Sequence, residues 1–343
     1  MKKLLTLILA IALICACGAA LAVNEDIEGK VVIYSSMYPD ILDSMERAIE
    51  AEFPNLDVEF FQGGTGSLQT KLAGEMGDAR NGVLGCDMLL VAEPAYSLEL
   101  KEYGYLEPIM IENADELFRF DYDPEGYWYP VRVCNMVLAY NPERYSADEL
   151  PKTFKEFAED ESLKGLISMS NPLTSGTAMA AVAALSDKYG YEYFDALGRN
   201  GVMIESGSVA LAKLQTGECK VIMILEESVL KVREEEGSKL ACIYPEDGVI
   251  LIPSTTMTIV EDKSANANLE ACEAITRWLL TEEGQHWVVK GWMHGVLKGM
   301  EEIPYDSVNT DDLIAMDIGV DWVRCYQQRE EIRTRFQEAT ALP

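Results

Sequence analysis

Short apolar runs and stretches with apolar residues at helical spacing alternate along the chain. The run at residues 31–34 is followed by Ile41, Met45 and Ile49, which recur every four residues. Such a run predicts a buried strand, and the fourfold spacing predicts an amphipathic helix that extends to about residue 52. Because strands and helices keep alternating, the pattern favours a parallel sheet with helical crossovers.

The same pattern predicts most of the other elements. Predicted strands cover residues 56–61, 86–91, 165–169, 219–225 and 241–244, and predicted helices cover residues 68–76, 153–160, 178–185, 206–216, 228–236 and 268–280.

Two longer apolar runs, at residues 131–139 and 249–260, are predicted to be strands that cross between two halves of the molecule. In open sheets of this kind, ligands bind beyond the carboxyl ends of the strands. The turns at residues 35–36, 64–67 and 92–93 each follow a predicted strand, so we expect them to share that edge.

A strand-to-helix turn within residues 170–178 is the first candidate for a binding site. Thr174, Ser175, Gly176 and Thr177 lie between a predicted strand and a run of small residues that predicts a helix. Hydroxyls and free backbone N–H groups at a helix N-terminus favour an anion. The simpler alternative is that Thr174 or Ser175 only caps the helix, and the two roles are compatible.

Length and charge narrow the class of protein. The chain has 343 residues, which suits two lobes better than a single core. Asp and Glu number 58 against 28 Lys and Arg, which gives a formal net charge of -30. A nucleic-acid partner is not expected, since phosphate contacts need Lys and Arg. For the same reason, an anion site here must rely on local dipoles and a few cations.

The N-terminus has the pattern of an export signal. Two lysines precede an apolar stretch at residues 4–14, which is too short for a comfortable membrane span. Residues 14–18 resemble a lipobox, in which Cys17 becomes the lipidated first residue, whereas residues 20–22 suit ordinary signal-peptidase cleavage. We predict a lipoprotein signal within residues 1–22, and an exported, periplasmic or cell-surface protein that is anchored to the membrane by lipid.

Six cysteines follow this leader, and none of them is in CxxC or zinc-ligand spacing. Export permits disulfides. Most of the six nevertheless lie in apolar runs, which favours small buried side chains, and a Cys219–Cys242 bridge stays open as an alternative. The six residues are Cys86, Cys134, Cys219, Cys242, Cys272 and Cys325.

The chain lacks the motifs of common hydrolases but offers single residues for ligand contact. Its two histidines, His286 and His294, lie near the C-terminus without a Gly-x-Ser-x-Gly motif, so we expect them to be structural. Glu226 and Glu227 follow a predicted strand at the ligand-facing edge, or else simply begin a solvated helix. Arg132, in an apolar strand, needs a partner or an anion if it faces inward; the alternative is that it points outward.

Several short motifs, taken in order, carry a resemblance that covers nearly all of the predicted mature chain. They occupy residues 31–35, 171–177, 217–218, 244–248 and 279–285. In their order and spacing, the chain resembles the substrate-binding proteins of ABC importers. Within that class it is similar to the group that holds ferric-iron-binding, 2-aminoethylphosphonate-binding and sugar-phosphate-binding proteins.

This resemblance implies a two-lobed α/β fold, the type II periplasmic-binding-protein-like fold, with two crossing hinge strands and the ligand in the interlobe cleft. Lobe one would comprise residues 23–131 plus 255–343, and lobe two residues 132–254. Closure of the lobes on a small-molecule ligand would present a surface to a membrane permease. The resemblance also implies a monomeric transport receptor with no cofactor and no enzymatic activity.

The ligand class depends on the residues after the predicted strand at 219–225. Iron-binding relatives carry adjacent tyrosines there, whereas this chain has Glu226 and Glu227. Phosphonate-binding and sugar-phosphate-binding relatives carry a glutamate where Glu226 stands, which receives an amine or a hydroxyl. The resemblance therefore favours a phosphonate or a sugar phosphate. Ferric iron or another metal held by Glu226, Glu227 and tyrosines, a polyamine, and a secreted enzyme stay open as alternatives.

The predicted ligand contacts come from both lobes and the hinge. Serine, threonine and glycine turns would hold the anionic group, and Glu226 would meet the opposite end of the ligand. The full predicted set is Ser35, Ser36, Thr65 and Gly66 from lobe one, Arg132 at the hinge, and Thr174, Ser175, Gly176, Thr177 and Glu226 from lobe two.

Overall fold

A computed structural model describes residues 24–341 of the chain. The predicted export signal and its lipidated Cys17 lie outside these residues. The described strands are β1 (Glu28–Ser35), β2 (Asn55–Gln62), β3 (Met88–Ala92), β4 (Leu106–Glu107), β5 (Tyr129–Tyr140), β6 (Ile167–Ser170), β7 (Met203–Glu205), β8 (Val221–Leu225), β9 (Ala241–Ile243) and β10 (Ile250–Ile259).

Helices connect and cover these strands. None of the helices within residues 24–341 combines the length and the hydropathy that a bilayer crossing requires. They are α1 (Pro39–Glu52), α2 (Thr65–Met76), α3 (Ala95–Glu102), α4 (Ala114–Leu117), α5 (Phe154–Glu159), α6 (Gly176–Tyr189), α7 (Glu192–Arg199), α8 (Gly207–Thr216), α9 (Glu226–Glu236), α10 (Leu269–Leu279), α11 (Glu282–Lys290), α12 (Thr310–Met316), α13 (Trp322–Gln327) and α14 (Arg329–Thr340).

The ten described strands form one hydrogen-bonded sheet, whose main path is β2-β1-β3-β10-β5-β8-β6-β7. One half holds β1, β2 and β3 in parallel pairs, and the other half holds β6, β7 and β8, also in parallel pairs. A helix follows each of these six strands. The predicted α/β class with two lobes is therefore confirmed.

Strands β5 and β10 join the two halves and cover the two predicted crossing segments. They pair antiparallel from Met136 with Ile250 to Tyr129 with Thr256. On their outer edges, β10 pairs with β3 and β5 pairs with β8, so each strand continues into the sheet of one lobe. Both strands are almost completely buried, which accounts for their unbroken apolar sequences.

A register shift interrupts the pairing of β5 with β10. Ser254 pairs with Arg132, whereas Thr255 pairs with Pro130, so the register skips Val131. A bulge of this kind bends the strand that carries it. The bend lies beside the two predicted boundaries between the lobes.

The C-terminal helices differ from their predicted place. Residues 255–343 are predicted to belong to lobe one, but α14 packs on α6 and α7 of lobe two. Phe336 meets Phe194 edge to face with ring centroids 5.3 Å apart, and the Ala339 carbonyl comes close to Gly198. Hydrophobic spacing predicts that such a segment is helical, but it does not say which lobe offers the matching apolar surface.

The hydrophobic pattern also misses short elements and places some helix starts late. It does not predict α3, α7 or β7, which have 8, 8 and 3 residues and so offer too few turns for a periodic signal. Helix α6 begins at Gly176 rather than at residue 178, and α9 begins at Glu226 rather than at residue 228. Because both helices begin beside the space between the lobes, the earlier starts place Gly176, Thr177 and Glu227 in the first turns of helices at this space.

The six described cysteines are free thiols, and all but Cys242 are buried. Cys219 and Cys242 pack in the same apolar cluster without a bond between them. The structure thus agrees with the interpretation that most of the cysteines act as small buried side chains.

Phe336→Ala tests the packing of α14 on lobe two. The side chain is fully buried, so its removal leaves a cavity and is expected to lower the free energy of unfolding by about 3–5 kcal/mol. The exposed substitution Thr334→Ala on the same helix is the control, with an expected effect below about 0.5 kcal/mol. Denaturant titrations measure both, and equally small effects would contradict this packing.

Candidate functional site

A cavity of about 540 Å³ lies between the two lobes. Each of the six parallel strands contributes a lining residue at its carboxyl end or directly after it. The strands of lobe one supply Ser36, Gln62 and Ala92, and the strands of lobe two supply Ser170, Glu205 and Leu225. The cavity therefore occupies the edge at which sheets of this kind bind ligands.

Five of the described helices begin at this cavity, since the residue before each of them lines it. These residues are Tyr38 before α1, Gly64 before α2, Ser175 before α6, Ser206 before α8 and Leu225 before α9. Ser175 Oγ accepts the N–H of Ala178 at 3.2 Å, and Ser206 Oγ accepts the N–H of Val209 at 3.3 Å. Each serine satisfies one N–H group of its helix. The other N–H groups of a first helical turn have no intrahelical partner, so these groups and the helix dipoles favour an anion in the cavity.

The turn at residues 174–177 combines the two roles considered from the sequence. Ser175 caps α6, and all four residues of the turn also line the cavity. Thr177 Oγ1 lies 3.1 Å from Ser175 Oγ, which keeps both hydroxyls beside the helix start. Thr65, at the start of α2 in lobe one, lines the cavity opposite this turn.

Arg132 faces the cavity from the hinge strand β5, rather than pointing outward. The residue is only 3% exposed, and its guanidinium donates to Ser36 Oγ at 3.0 Å. Its Nε has no hydrogen-bond partner among the residues that the structure describes. Because a buried guanidinium needs a counter-charge, Arg132 is the fixed cation toward which an anionic ligand would be drawn.

Glu227 supplies a buried carboxyl group to the same cavity. It lies in the first turn of α9, is 5% exposed, and has one oxygen, Oε2, without a hydrogen-bond partner in the described part of the chain. Burial raises the pKa of Glu227 to about 7, although the nearby Arg132 acts in the opposite direction. The group can therefore either donate or accept a hydrogen bond near neutral pH.

Glu226 lies on another side of α9, is 1% exposed and does not line the cavity. Its Oε2 accepts from Asn135 Nδ2 at 2.9 Å and lies 3.1 Å from His294 Nε2. Its Oε1 accepts the hydroxyls of Tyr244 and Ser307. Burial alone would raise the pKa of Glu226, but His294 and the two hydroxyls outweigh burial and lower it.

The structure thus places Glu227, and not the predicted Glu226, on the cavity wall. The rotation of about 100° between consecutive helix residues turns Glu227 toward the cavity and Glu226 toward Asn135 and His294. Glu226 instead connects α9 to the hinge strand through Asn135 and to His294, one of the two histidines predicted to be structural. Ser35 also differs from its predicted place, because it is fully buried and its Oγ accepts the N–H of Met37 at 3.2 Å.

Gly66 and Gly176 mark a point where the two lobes touch. A Cβ at Gly66 would lie 2.4 Å from the Thr174 carbonyl oxygen, and a Cβ at Gly176 would lie 2.7 Å from Thr65 Cγ2. The starts of α2 and α6 therefore abut with no room for another side chain. Gly66 acts in this contact and does not itself line the cavity.

Several residues that line the cavity are not among the predicted ligand contacts. Lys231 lies one helical turn after Glu227 on α9, and this spacing of four residues could have revealed it. Its Nζ is 2.7 Å from Asp40 Oδ2 of lobe one, and Tyr38 lines the cavity beside it. Residues 206–208 also line the cavity, and they repeat the strand-to-helix pattern that identifies residues 174–177.

A family model for bacterial extracellular solute-binding proteins matches residues 44–297 of the chain. The chain belongs to this family. The predicted resemblance to ABC-importer solute-binding proteins of type II fold is confirmed. Membership implies export, a small-molecule ligand and an ABC permease as partner.

The chain is similar to known proteins at low sequence identity. An uncharacterized protein of Haemophilus influenzae is 23% identical over 284 residues, which cover 79% of this chain and 78% of that protein. The periplasmic binding protein AfuA of Actinobacillus pleuropneumoniae, solved with fructose-6-phosphate bound, has a TM-score of 0.75 at 20% identity, with 92% of this chain and 99% of AfuA covered. Iron-bound HitA of Pseudomonas aeruginosa has a TM-score of 0.75 at 19% identity, with 90% of this chain and 99% of HitA covered.

Glu227→Gln tests the buried carboxyl of this solute-binding protein. The folded-state pKa of about 7 lies above the ordinary value of 4.5, so the native state loses stability as the pH rises between these values and keeps the full penalty above them. That penalty is about 3 kcal/mol. The variant is therefore expected to be more stable than the wild type at pH 8, with a smaller pH dependence, as measured by denaturant titration at pH 5 and pH 8.

Glu226→Gln is the matched control, since the pKa of Glu226 is lowered rather than raised. The ionised Glu226 stabilises the folded state above the ordinary carboxyl pKa, and this stabilisation is lost as the pH falls through the lower folded-state pKa. Removing this hydrogen-bonded carboxylate should destabilise the protein at pH 8. If both variants changed the free energy of unfolding in the same direction at pH 8, the two glutamates would not have the different roles described here.

Gly66→Ala tests the contact between the lobes. The added methyl group would meet the Thr174 carbonyl at 2.4 Å, so the lobes must move apart. Amide hydrogen exchange is expected to become faster in peptides covering residues 64–68 and 174–178. Gly74→Ala, on the same helix with open space around its Cβ, should leave this exchange unchanged, and identical exchange in both variants would rule out a close contact.

Proposed function

We propose that this solute-binding protein captures a small polar anion in the interlobe cavity and delivers it to an ABC permease. A phosphonate or a sugar phosphate is the ligand class that we favour. The protein would bind and release its solute without chemical change.

The convergence of five helix N-termini and Arg132 on one cavity is the observation that carries this proposal. A phosphoryl group has several oxygens, so it can accept hydrogen bonds from more than one helix at once. A guanidinium pairs with such a group through parallel N–H donors. In a chain with a net charge of -30, these short-range groups are what would attract an anion into the cavity.

Glu227 supports a ligand with a second polar group. Its unpartnered oxygen can accept from an amine or a hydroxyl when the group is ionised, and its proton can be donated when it is not. Phosphonates with an amine and sugar phosphates with hydroxyls both carry such a group. AfuA, which shares the fold, was solved with fructose-6-phosphate, a sugar phosphate.

Ferric iron is the second candidate, because HitA has the same fold and was solved with iron bound. Among residues 24–341, no group of three or more His, Cys, Asp or Glu side chains is arranged to hold a metal ion. Tyr38 lines the cavity, but burial raises its pKa above the usual value, which disfavours a tyrosinate ligand. This donor set supports a phosphoryl ligand more than iron.

The predicted anchor at Cys17 and the monomeric state remain part of the proposal. A lipid on Cys17 would hold the protein at the membrane surface, close to the permease. The sequence pattern of the leader is what supports this anchor.

Thermal unfolding in the presence of chosen probes tests the ligand class. The probes are 2-aminoethylphosphonate, glucose 6-phosphate, ferric citrate and spermidine. A ligand at 100 times its Kd stabilises the native state by about 2.7 kcal/mol, so one of the first two is expected to raise the melting temperature. A shift with ferric citrate or spermidine alone would overturn the proposed class, and turnover of any probe would indicate an enzyme.

Thr177→Val then tests the turn before α6 against the active probe. The substitution keeps the shape of the side chain but removes one hydroxyl of the cavity wall. Its loss is expected to weaken binding by about 1–2 kcal/mol, or roughly 5- to 30-fold in Kd, in isothermal titration calorimetry. Thr216→Val, at the exposed far end of α8, is the matched control. An unchanged Kd for Thr177→Val would remove this turn from the site.

A further inference from the structure

The last two helices contact both lobes outside the hinge strands. Helix α13 packs on α3 of lobe one, and α14 packs on α6 and α7 of lobe two. We call residues 321–340 the C-terminal clasp. Because the clasp crosses from one lobe to the other, any relative movement of the lobes must change one of its two attachments.

Polar contacts attach the clasp to lobe one. Arg329 donates to two carboxylates. Its Nη2 lies 2.9 Å from Glu93 Oε1, and its Nη1 lies 3.1 Å from Glu99 Oε2. The Tyr326 hydroxyl donates to Glu102. Arg329 and Glu93 are both buried, so this ion pair depends on a close and well-aligned geometry.

Apolar contacts attach the clasp to lobe two. Ile332 and Phe336, one turn apart on α14, are fully buried, and Phe336 packs on Phe194. Arg324 also donates to the Ala183 carbonyl at 2.9 Å. Separating buried apolar surfaces exposes them to water, whereas polar groups regain hydration when they part. The clasp should therefore stay with lobe two, and its contacts with lobe one should be the ones that break.

Glu93 connects the clasp to the cavity wall. Its second oxygen, Oε2, accepts from Gln69 Nε2 of α2 at 3.0 Å. A Cβ at Gly176 of α6 would lie 3.3 Å from the same oxygen. Glu93 also has a positive φ of 81°, which is uncommon for a residue with a side chain. A single buried carboxylate thus lies where α2, α6 and the clasp meet.

We propose that the C-terminal clasp holds the two lobes closed in the absence of ligand, with Arg329 as the positioning residue that fastens it to lobe one. Opening the cavity separates α2 from α6 and pulls Glu93 and Glu99 away from Arg329. Contacts that exist only in the closed form shift the equilibrium toward it. The clasp lies outside the reach of a solute, so this proposal does not rest on the ligand class.

Small-angle X-ray scattering of the ligand-free, full-length protein tests the clasp. The wild-type curve is expected to match the closed structure, and Arg329→Met is expected to increase the radius of gyration. Arg324→Met removes polar contacts with lobe two but leaves Ile332 and Phe336 in place, so it should keep the closed radius. Superimposable wild-type and Arg329→Met curves would overturn the proposal, and so would an open wild-type protein.

A second variant covers the case in which Arg329→Met fails to fold. Glu99→Gln combined with Tyr326→Phe removes two contacts with lobe one while Glu93 keeps its charged partner. The same increase in radius is expected, with cooperative thermal unfolding retained. A purely structural role would lower the melting temperature without changing the radius, and that result would also reject the clasp.

Discussion

The antiparallel pairing of β5 with β10 is the interaction on which the other features of this protein depend. Both strands are buried along almost their whole length. On its outer edge, each one pairs with a strand of one lobe, β10 with β3 and β5 with β8. The pairing thereby directs the carboxyl ends of six parallel strands toward one cavity. The helix N-termini that follow these strands converge there as a consequence of topology.

In so acidic a protein, an anionic solute would depend on the groups that it touches inside the cavity. Salt screens exposed charges beyond about 8–10 Å, so the net charge of -30 matters less inside the cavity than the groups that touch the solute. Under the proposed function, the N–H groups at the helix starts and Arg132 would attract an anion at short range. Glu227 would oppose this attraction only in part, because burial raises its pKa to about 7 and leaves the group partly protonated near neutral pH.

Hydrophobic periodicity was sufficient to predict the alternating elements and both hinge strands, because burial imposes its pattern on each element separately. The sequence could predict that the turn before α6 and Arg132 are candidates for ligand contact, since they follow a strand end or interrupt an apolar strand, and both line the cavity. Which of Glu226 and Glu227 faces the cavity could not be predicted, because that depends on how α9 is rotated against His294 and other residues distant in sequence. The docking of α14 on lobe two depends on equally distant partners.

The bulge at Val131 gives Arg132 a mechanical position as well as a chemical one. Arg132 pairs with Ser254 directly beside the skipped residue, so it lies close to the axis about which the lobes would turn. Points near a rotation axis move least. Whenever the lobes part and admit a solute, it would meet this cation almost where it stands in the closed form, while the hydroxyls of the two lobes come into contact only as the lobes close again. Recognition would then have two steps. The nearly stationary guanidinium of Arg132 contacts the solute first, and the residues of the two lobes then select it by size and shape as they close around it.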